Sequence, residues 1–206
     1  MLDGKLDDAV WSAAPASDEF TQKVPDDGKP PGERTVVRIL YDDENIYVGV
    51  DCIQHKSPVV ARLTRRDRNV EADSVTVAFD TRSDGKSAFD FSVNAAGVLS
   101  DGLRFNDTEY SQAWDEIWEA KTARTHAGWS AELRIPLRVL RFKSRPVQSW
   151  GLQVKRYVPE TQEVDEWAHI PRDTAGEVSH YGRLDDLVGL RPESPLELRP
   201  FVAAGC

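Results

Sequence analysis

Residues 71–94, EADSVTVAFDTRSDGKSAFDFSVN, contain two runs in which apolar residues alternate with small or polar ones. In 74–80 and again in 88–94 the apolar side chains share one side of an extended chain, because successive side chains of a strand point to opposite faces. Asp84 and Gly85, between the runs, form the pair that a tight hairpin turn with positive φ prefers. The stretch therefore predicts a β-hairpin with one buried face.

The same hairpin carries more acidic residues than its turn requires. Calcium takes six to eight oxygen ligands, and loops dense in Asp supply them. Asp80 and Asp84, with neighbouring carbonyl groups, are the candidate ligands of a structural calcium ion. The alternative is that Asp84 serves only the turn, and the sequence has no loop with EF-hand spacing.

Further runs of the same kind follow along the chain. Residues 35–41 and 46–52 are β-branched segments joined by DDEN, which predicts another hairpin. Other strands are predicted at 98–105, interrupted or bent at Asp101–Gly102, and at 114–124, 129–135, 150–158 and 166–170, with a helical turn at 136–142. Strands without long intervening helices are typical of an antiparallel sandwich. The fold class is therefore predicted to be all-β, an antiparallel β-sandwich.

The predicted domain spans residues 1–190, and residues 191–206 are predicted to be an exit linker. The proline-containing segment 15–33 is predicted to be a loop. Trp11, Trp129 and Trp150 fall on apolar positions and are expected in the core.

Composition excludes several classes of function. The 206 residues carry a net charge of -9, which argues against nucleic-acid binding because phosphate contacts need a clustered basic surface. No apolar run approaches the ~20 residues that cross a bilayer, so no membrane insertion by this chain is expected. Residues 1–4 show no signal peptide, and Cys52 and Cys206 offer no disulfide framework or metal spacing. Since no nucleophile elbow or phosphate loop is present, we expect no enzyme activity.

A family resemblance rests on six blocks in order: LDGKLDDAVW, VRILYDDENIYVGV, EADSVTVAFD, FDFSVNAAG, GWSAELRIPLRVLRF and YGRLDDLVGLRP. They resemble the family 9 carbohydrate-binding modules, in particular the branch at the N-terminus of large bacterial proteins with a predicted C-terminal outer-membrane β-barrel. The resemblance implies a jelly-roll-like sandwich that binds carbohydrate without catalysis. It also implies a periplasmic or cell-surface location, the chain's own barrel as a partner, and a structural calcium ion.

The resemblance also identifies where this chain departs from the sugar-binding members. Those modules hold the sugar between two tryptophans, but Val70 occupies the first place and the loop 174–179 has no aromatic residue. Ser92 stands where they carry an arginine. The candidate carbohydrate-binding residues are therefore other aromatic and polar side chains: Trp114, Trp167, Tyr110, Asn94, Arg156 and Glu116. The alternative for each ring is a buried position at a strand edge.

Two other functions stay open at this stage. One is a structural or docking module that contacts its own outer-membrane barrel or a protein partner, with sugar binding lost. The other is an accessory domain of a larger enzyme such as a glycoside hydrolase. The arginines at 62, 65, 66 and 68 either form a pocket for an acidic sugar or for the barrel, or pair internally with Asp67, Glu71 and Asp73.

Overall fold

A computed structural model describes residues 2–68 and 70–192. The elements are one α-helix, α1 (Ala9–Ala13), two short 3-10 helices (Leu137–Val139 and Val178–His180) and the following strands: β1 (Ala16–Ser17), β2 (Thr21–Val24), β3 (Thr35–Tyr41), β4 (Asn45–Ile53), β5 (Ser74–Asp80), β6 (Ala88–Asn94), β7 (Leu99–Phe105), β8 (Glu109–Ser111), β9 (Glu119–Thr125), β10 (Gly128–Pro136), β11 (Val147–Val158), β12 (Glu163–Glu166) and β13 (Gly182–Val188).

The strands form two antiparallel sheets, which confirms the predicted fold class. Sheet A has five strands in the order β1-β3-β4-β10-β9. Sheet B has eight, in the order β2-β12-β11-β5-β6-β7-β8, with β13 also paired to β11. No described helix is long and apolar enough to cross a membrane.

The core lies between the two sheets, and the hairpin that opens the sequence supplies its centre. Val77 pairs with Phe91 and Phe79 with Phe89 across β5 and β6, and all four side chains are buried. Trp11, Trp129 and Trp150 are buried as predicted, at 2%, 1% and 0% exposure. Burial of such large rings is a dominant favourable contribution to the stability of a sandwich.

The hairpin has the predicted strands, 74–80 and 88–94, and Gly85 takes the positive φ expected of its turn. One local prediction beside it was wrong. Strand β7 is continuous through Asp101 and Gly102, because both pair in register with β6.

The other differences concern where strands begin. Residues 114–118 precede β9 instead of belonging to it, so Trp114 and Trp118 do not share a strand face. Strand β12 ends at Glu166, where a strand was predicted to start, and the predicted loop 15–33 contains β1 and β2. Most of the predicted exit linker, from residue 193 onward, lies outside the described residues.

Candidate functional site

The side of sheet B that faces away from the core is polar, and we call it the outer face. Cross-strand partners point to the same side of a sheet, so Lys155, Thr76, Ser92 and Ser100 form one row across it. The next row is Gln153, Ala78, Asp90 and Gly102. Most of these side chains are small, which leaves space above the sheet for the longer charged ones.

An arginine–carboxylate pair lies on the outer face. Arg104 Nε donates to Asp90 Oδ2 at 2.9 Å and to Oδ1 at 3.2 Å, and Asp90 is only 3% exposed. Burial raises the pKa of Asp90 to about 6, although the Arg104 guanidinium opposes this shift. The ion pair therefore presents hydrogen-bonding groups that are held in place and partly shielded from water.

The loop 174–181 is attached to the same face through Glu177. Lys155 Nζ lies 2.5 Å from Glu177 Oε1 and 2.9 Å from Glu166 Oε1. Burial raises the pKa of Glu177, but the charges of Lys155 and Arg104 outweigh it, so this pKa lies below its usual range. Asp107 Oδ1 accepts the backbone N–H groups of Glu177 and Ser179, which fixes the loop over the sheet.

Tyr110, on β8, is the most exposed of the aromatic residues on the outer face, which also carries Tyr157 opposite Ser74. It pairs across the strands with Arg104, whose guanidinium carbon is 5.4 Å from the centre of the tyrosine ring. The ring also covers Gly102, where an added Cβ would contact the Tyr110 phenol, so a larger residue would displace the ring. Tyr110 remains 44% exposed, which leaves ring surface for a ligand.

The two tryptophans predicted as ligand platforms pack against the core. The Trp114 ring centre is 5.0 Å from that of Phe89 and 5.7 Å from that of Phe91. Trp167 donates its indole N–H to Ser17 Oγ at 2.8 Å and its ring lies against Gly182. Both rings are partly exposed at the edge of the core, and their role as ligand platforms stays a prediction.

The polar residues predicted with them are not brought together either. Asn94 closes a turn, since its Oδ1 accepts the backbone N–H groups of Ala96 and Val98. Arg156 points inward, is 0% exposed, and donates to Gln54 Oε1 and to the carbonyl oxygen of Arg34. A role of these residues in carbohydrate binding stays a prediction.

Glu116, the last of the predicted polar residues, lies in the segment that precedes β9. Its backbone N–H donates to Asp101 Oδ2 at 2.9 Å and its carbonyl accepts from Arg66. Glu116 and Asp84 are both among the residues that line a surface cavity. Glu116 is therefore separate from the outer-face residues that contact one another.

The sequence prediction missed Asp90, Arg104, Lys155 and Glu177. The alternation of 88–94 already places Asp90 opposite the buried Phe89 and Phe91, so that signal was available. Glu177 carries no such signal, because its position depends on how a loop returns to the sheet.

The candidate calcium ligands accept hydrogen bonds from their own turn. Asp80 accepts the N–H groups of Arg82, Asp84 and Gly85, and burial raises its pKa. Asp84 accepts the N–H groups of Lys86 and Ser87. A calcium ion here stays a prediction.

Arg66 binds the one group of three clustered carboxylates found among residues 2–68 and 70–192. Its guanidinium lies 3.5 Å from Asp67, 2.5 Å from Asp101 and 3.0 Å from Asp115. The predicted internal pairing is thus present for Arg66, with Asp67 as one partner.

A family match follows the same boundaries as the sandwich. The sequence pattern of the family described as carbohydrate family 9 binding domain-like matches residues 2–185. The chain belongs to this family. No curated protein matches it in sequence.

Solved structures agree with the fold of the family. A family 9 module from Caldicellulosiruptor kristjanssonii in complex with cellotriose is 15% identical, with a TM-score of 0.61 over 98% of this chain and 95% of that chain. The same organism's module in complex with glucose is 16% identical, with a TM-score of 0.62 over 97% and 95%. A protein of Bacteroides uniformis to which carbohydrate binding has been ascribed is 14% identical, with a TM-score of 0.68 over 84% and 87%. At these identities the similarity shows the fold alone.

Proposed function

We propose that the chain is a non-catalytic module that binds a glycan or the end of a sugar chain on the outer face of sheet B. The observation that carries this proposal is the half-exposed ring of Tyr110 beside the Arg104–Asp90 pair. A sugar has an apolar ring face and a rim of hydroxyl groups, so it needs an aromatic surface with polar groups beside it. Membership of a carbohydrate-binding family, and the cellotriose and glucose complexes of similar modules, support the proposal.

Each outer-face group has a role in this proposal. Tyr110 packs against the sugar ring, the carboxylate of Glu177 accepts sugar hydroxyls, and Arg104 and Lys155 donate to sugar oxygens. The buried carboxylate of Asp90 holds Arg104 in place. The ion pairs already hold these side chains in place, so less side-chain entropy is lost when a ligand binds. These groups bind and orient a sugar, and none is assigned a chemical step.

The test measures sugar binding by two tyrosine variants. A glycan array together with calorimetric titration of glucose and cellotriose should identify a ligand of the wild-type chain. Tyr110→Ala should then weaken binding by about tenfold or more, which corresponds to about 1.4 kcal/mol. Tyr41→Ala is the matched control, because Tyr41 is 39% exposed but lies on β3 in sheet A.

The control should bind as the wild type does, and both variants should keep a cooperative unfolding transition. Absence of binding to every saccharide, or equal binding by wild type and Tyr110→Ala, would exclude the outer face as a sugar site.

A docking module is the second candidate, in which the domain contacts its own outer-membrane barrel or a protein partner. It is favoured by the packing of Trp114 and Trp167 against the core and by the mutual pairing of the outer-face charges. Deletion of residues 1–190 from the full-length protein should then destabilise the barrel. A stable barrel without these residues would contradict this candidate.

We also propose that the module belongs to a larger bacterial envelope protein in the periplasm or at the cell surface. The resemblance of the sequence blocks to modules that precede outer-membrane barrels supports this context. Sequencing the gene beyond Cys206 tests it. A barrel is expected there, whereas a glycoside hydrolase would make the chain an accessory domain of an enzyme.

A further inference from the structure

A second surface of the molecule collects cationic side chains around a cavity of about 1010 Å³. We call it the basic cavity, and its charged lining residues are Arg82, Arg138, Arg141, Lys143, Asp84 and Glu116. The four cations exceed the two acids, although the whole chain carries a net charge of -9. Positive charge is therefore concentrated at this surface, although the net charge of the protein is negative.

The local sequence explains the concentration. Residues 133–159 contain seven Lys or Arg and no Asp or Glu. Within this stretch Val139, Leu140 and Phe142 are 3%, 2% and 8% exposed, and the Phe142 ring packs against Trp150 with centres 5.1 Å apart. These buried side chains anchor the backbone, and the intervening Arg141 and the preceding Arg138 point to solvent.

The opposite wall of the basic cavity is also anchored. The backbone N–H of Arg82 donates to Asp80 Oδ1 at 3.1 Å, and Thr81 Oγ1 donates to the carbonyl oxygen of Arg141 at 2.9 Å. The second bond ties the hairpin loop to the segment that carries Arg141. The cations therefore project from two connected and well-supported pieces of backbone.

Among the described residues Arg138, Arg141 and Lys143 have no charged partner, and Arg82 interacts electrostatically with Asp84. In the part of the chain that the structure describes, none of these four side chains forms an ion pair or a hydrogen bond, whereas Arg66, Arg104 and Lys155 each do. Clustered guanidinium groups bind carboxylate or sulfate through paired, charge-assisted hydrogen bonds. The unmatched charge is thus suited to an anionic ligand.

The two acidic residues of the basic cavity, Asp84 and Glu116, limit the chemical class of ligand that it can bind. Asp84 is engaged with the N–H groups of Lys86 and Ser87, so it takes little part in recognition. Glu116 has its backbone fixed on Asp101 and is one of the residues that line the basic cavity. A carboxylate beside four cations repels a bare anion but accepts hydrogen bonds from hydroxyl groups. A ligand with both anionic groups and hydroxyls fits this arrangement.

We propose that the basic cavity is a second binding site for an acidic oligosaccharide that carries uronate or sulfate groups. The choice of a sugar as the carrier of the negative charge rests on the proposed function, while the need for an anion rests on the cavity alone. The cavity volume is at the upper end of the ~300–1,000 Å³ usual for small-ligand pockets, which suits an oligosaccharide.

The experiment titrates four probes into the wild-type chain: trigalacturonate, a heparin-derived tetrasaccharide, cellotriose and inorganic sulfate. At least one acidic saccharide should bind, more weakly at high salt because screening reduces charge attraction. The double variant Arg138→Ala with Arg141→Ala should weaken that binding by about tenfold or more. The control, Lys29→Ala with Lys121→Ala, also removes two positive charges, but from exposed sites elsewhere. It should leave the binding of the acidic saccharide unchanged.

The outcomes separate this site from the outer face. Tyr110→Ala should not change acidic-saccharide binding, and Glu116→Gln should strengthen binding of inorganic sulfate. If acidic saccharides bind equally well to the wild type and to Tyr110→Ala, the basic cavity is supported. If no saccharide binding depends on Tyr110, the outer-face proposal is wrong. Equal loss in the arginine and lysine double variants, loss in Tyr110→Ala, or binding of sulfate alone would overturn the basic cavity as a saccharide site.

Discussion

The outer face of sheet B and the basic cavity both display Arg and Lys side chains, but only the outer face neutralises them. There Arg104 meets Asp90 and Lys155 meets Glu166 and Glu177, within 3 Å or less in each case. Around the basic cavity Arg138 and Arg141 meet no carboxylate among the described residues. The ion pairs of the outer face keep its side chains in fixed positions. The unpaired cations of the basic cavity favour binding of an anionic ligand.

The largest effect that we expect is the loss of folding stability when Arg104 is removed from its ion pair. Arg104→Met leaves the carboxylate of Asp90 buried without its cation, which should lower the free energy of unfolding by about 3 kcal/mol near neutral pH. Arg141→Met should change it by less than ~0.5 kcal/mol, because no buried partner is left behind. Urea denaturation measures both. Adding Asp90→Asn to Arg104→Met should recover part of the loss, and an equal cost at both arginines would contradict the comparison.

A buried carboxyl group on the inner face of sheet B provides a second test of how its surroundings affect stability. Asp165 is 0% exposed, and neither of its oxygens has a hydrogen-bond partner in residues 2–68 and 70–192. Burial, with the nearby charge of Glu163, raises the pKa of Asp165 well above its usual range, so the folded protein binds this proton more tightly than the unfolded chain. Stability is therefore lost as pH rises above about 4, until the raised pKa is passed.

Asp165→Asn should remove this loss, because the amide resembles the protonated acid. Relative to wild type, the variant should gain about 2 kcal/mol more unfolding free energy at mildly alkaline pH than at mildly acidic pH. Unfolding curves across this pH range provide the measurement. A constant difference between the two proteins would show that Asp165 does not hold its proton.

Glu177 provides the opposite dependence on pH. Its pKa is lowered by Lys155 and Arg104 against the effect of burial, so its stabilising contribution is present above its unfolded pKa and is lost as pH falls through the folded one. Glu177→Gln should cost about 1 kcal/mol near neutral pH and progressively less below about pH 4.5. Thermal unfolding at a series of pH values follows this difference. Asp18→Asn, which removes an acid from an exposed ion pair, serves as the control.

The smallest effect is expected at the basic cavity itself. Its unpaired cations repel one another, so Arg138→Gln with Arg141→Gln should stabilise the fold by a few tenths of a kcal/mol, roughly the range of surface charge effects. High salt should remove the gain, because exposed charges are screened. Chemical unfolding at low and high salt checks this. A loss of stability would indicate that these arginines have partners within the protein.

The candidate site shows which structural features a local sequence pattern can predict. The alternation in 88–94 predicts both the strand and the side on which Asp90 lies, since side-chain direction follows from the period of two. The same logic failed at 114–118, where a strand was predicted but Trp114 packs on Phe89 and Phe91 before β9 begins. Tertiary contacts override a weak local preference in such a segment.

Local sequence patterns were enough to predict the sandwich, its central hairpin and the buried tryptophans, because hydrophobic periodicity and turn residues act over a few neighbouring positions. The tertiary structure alone decided which charges meet. Arg104 and Glu177 approach each other only when the loop 174–181 folds back over the sheet, and Arg82 faces Arg141 only across two separate segments. Such proximity depends on strand order and loop docking between residues far apart in sequence, which no local pattern records.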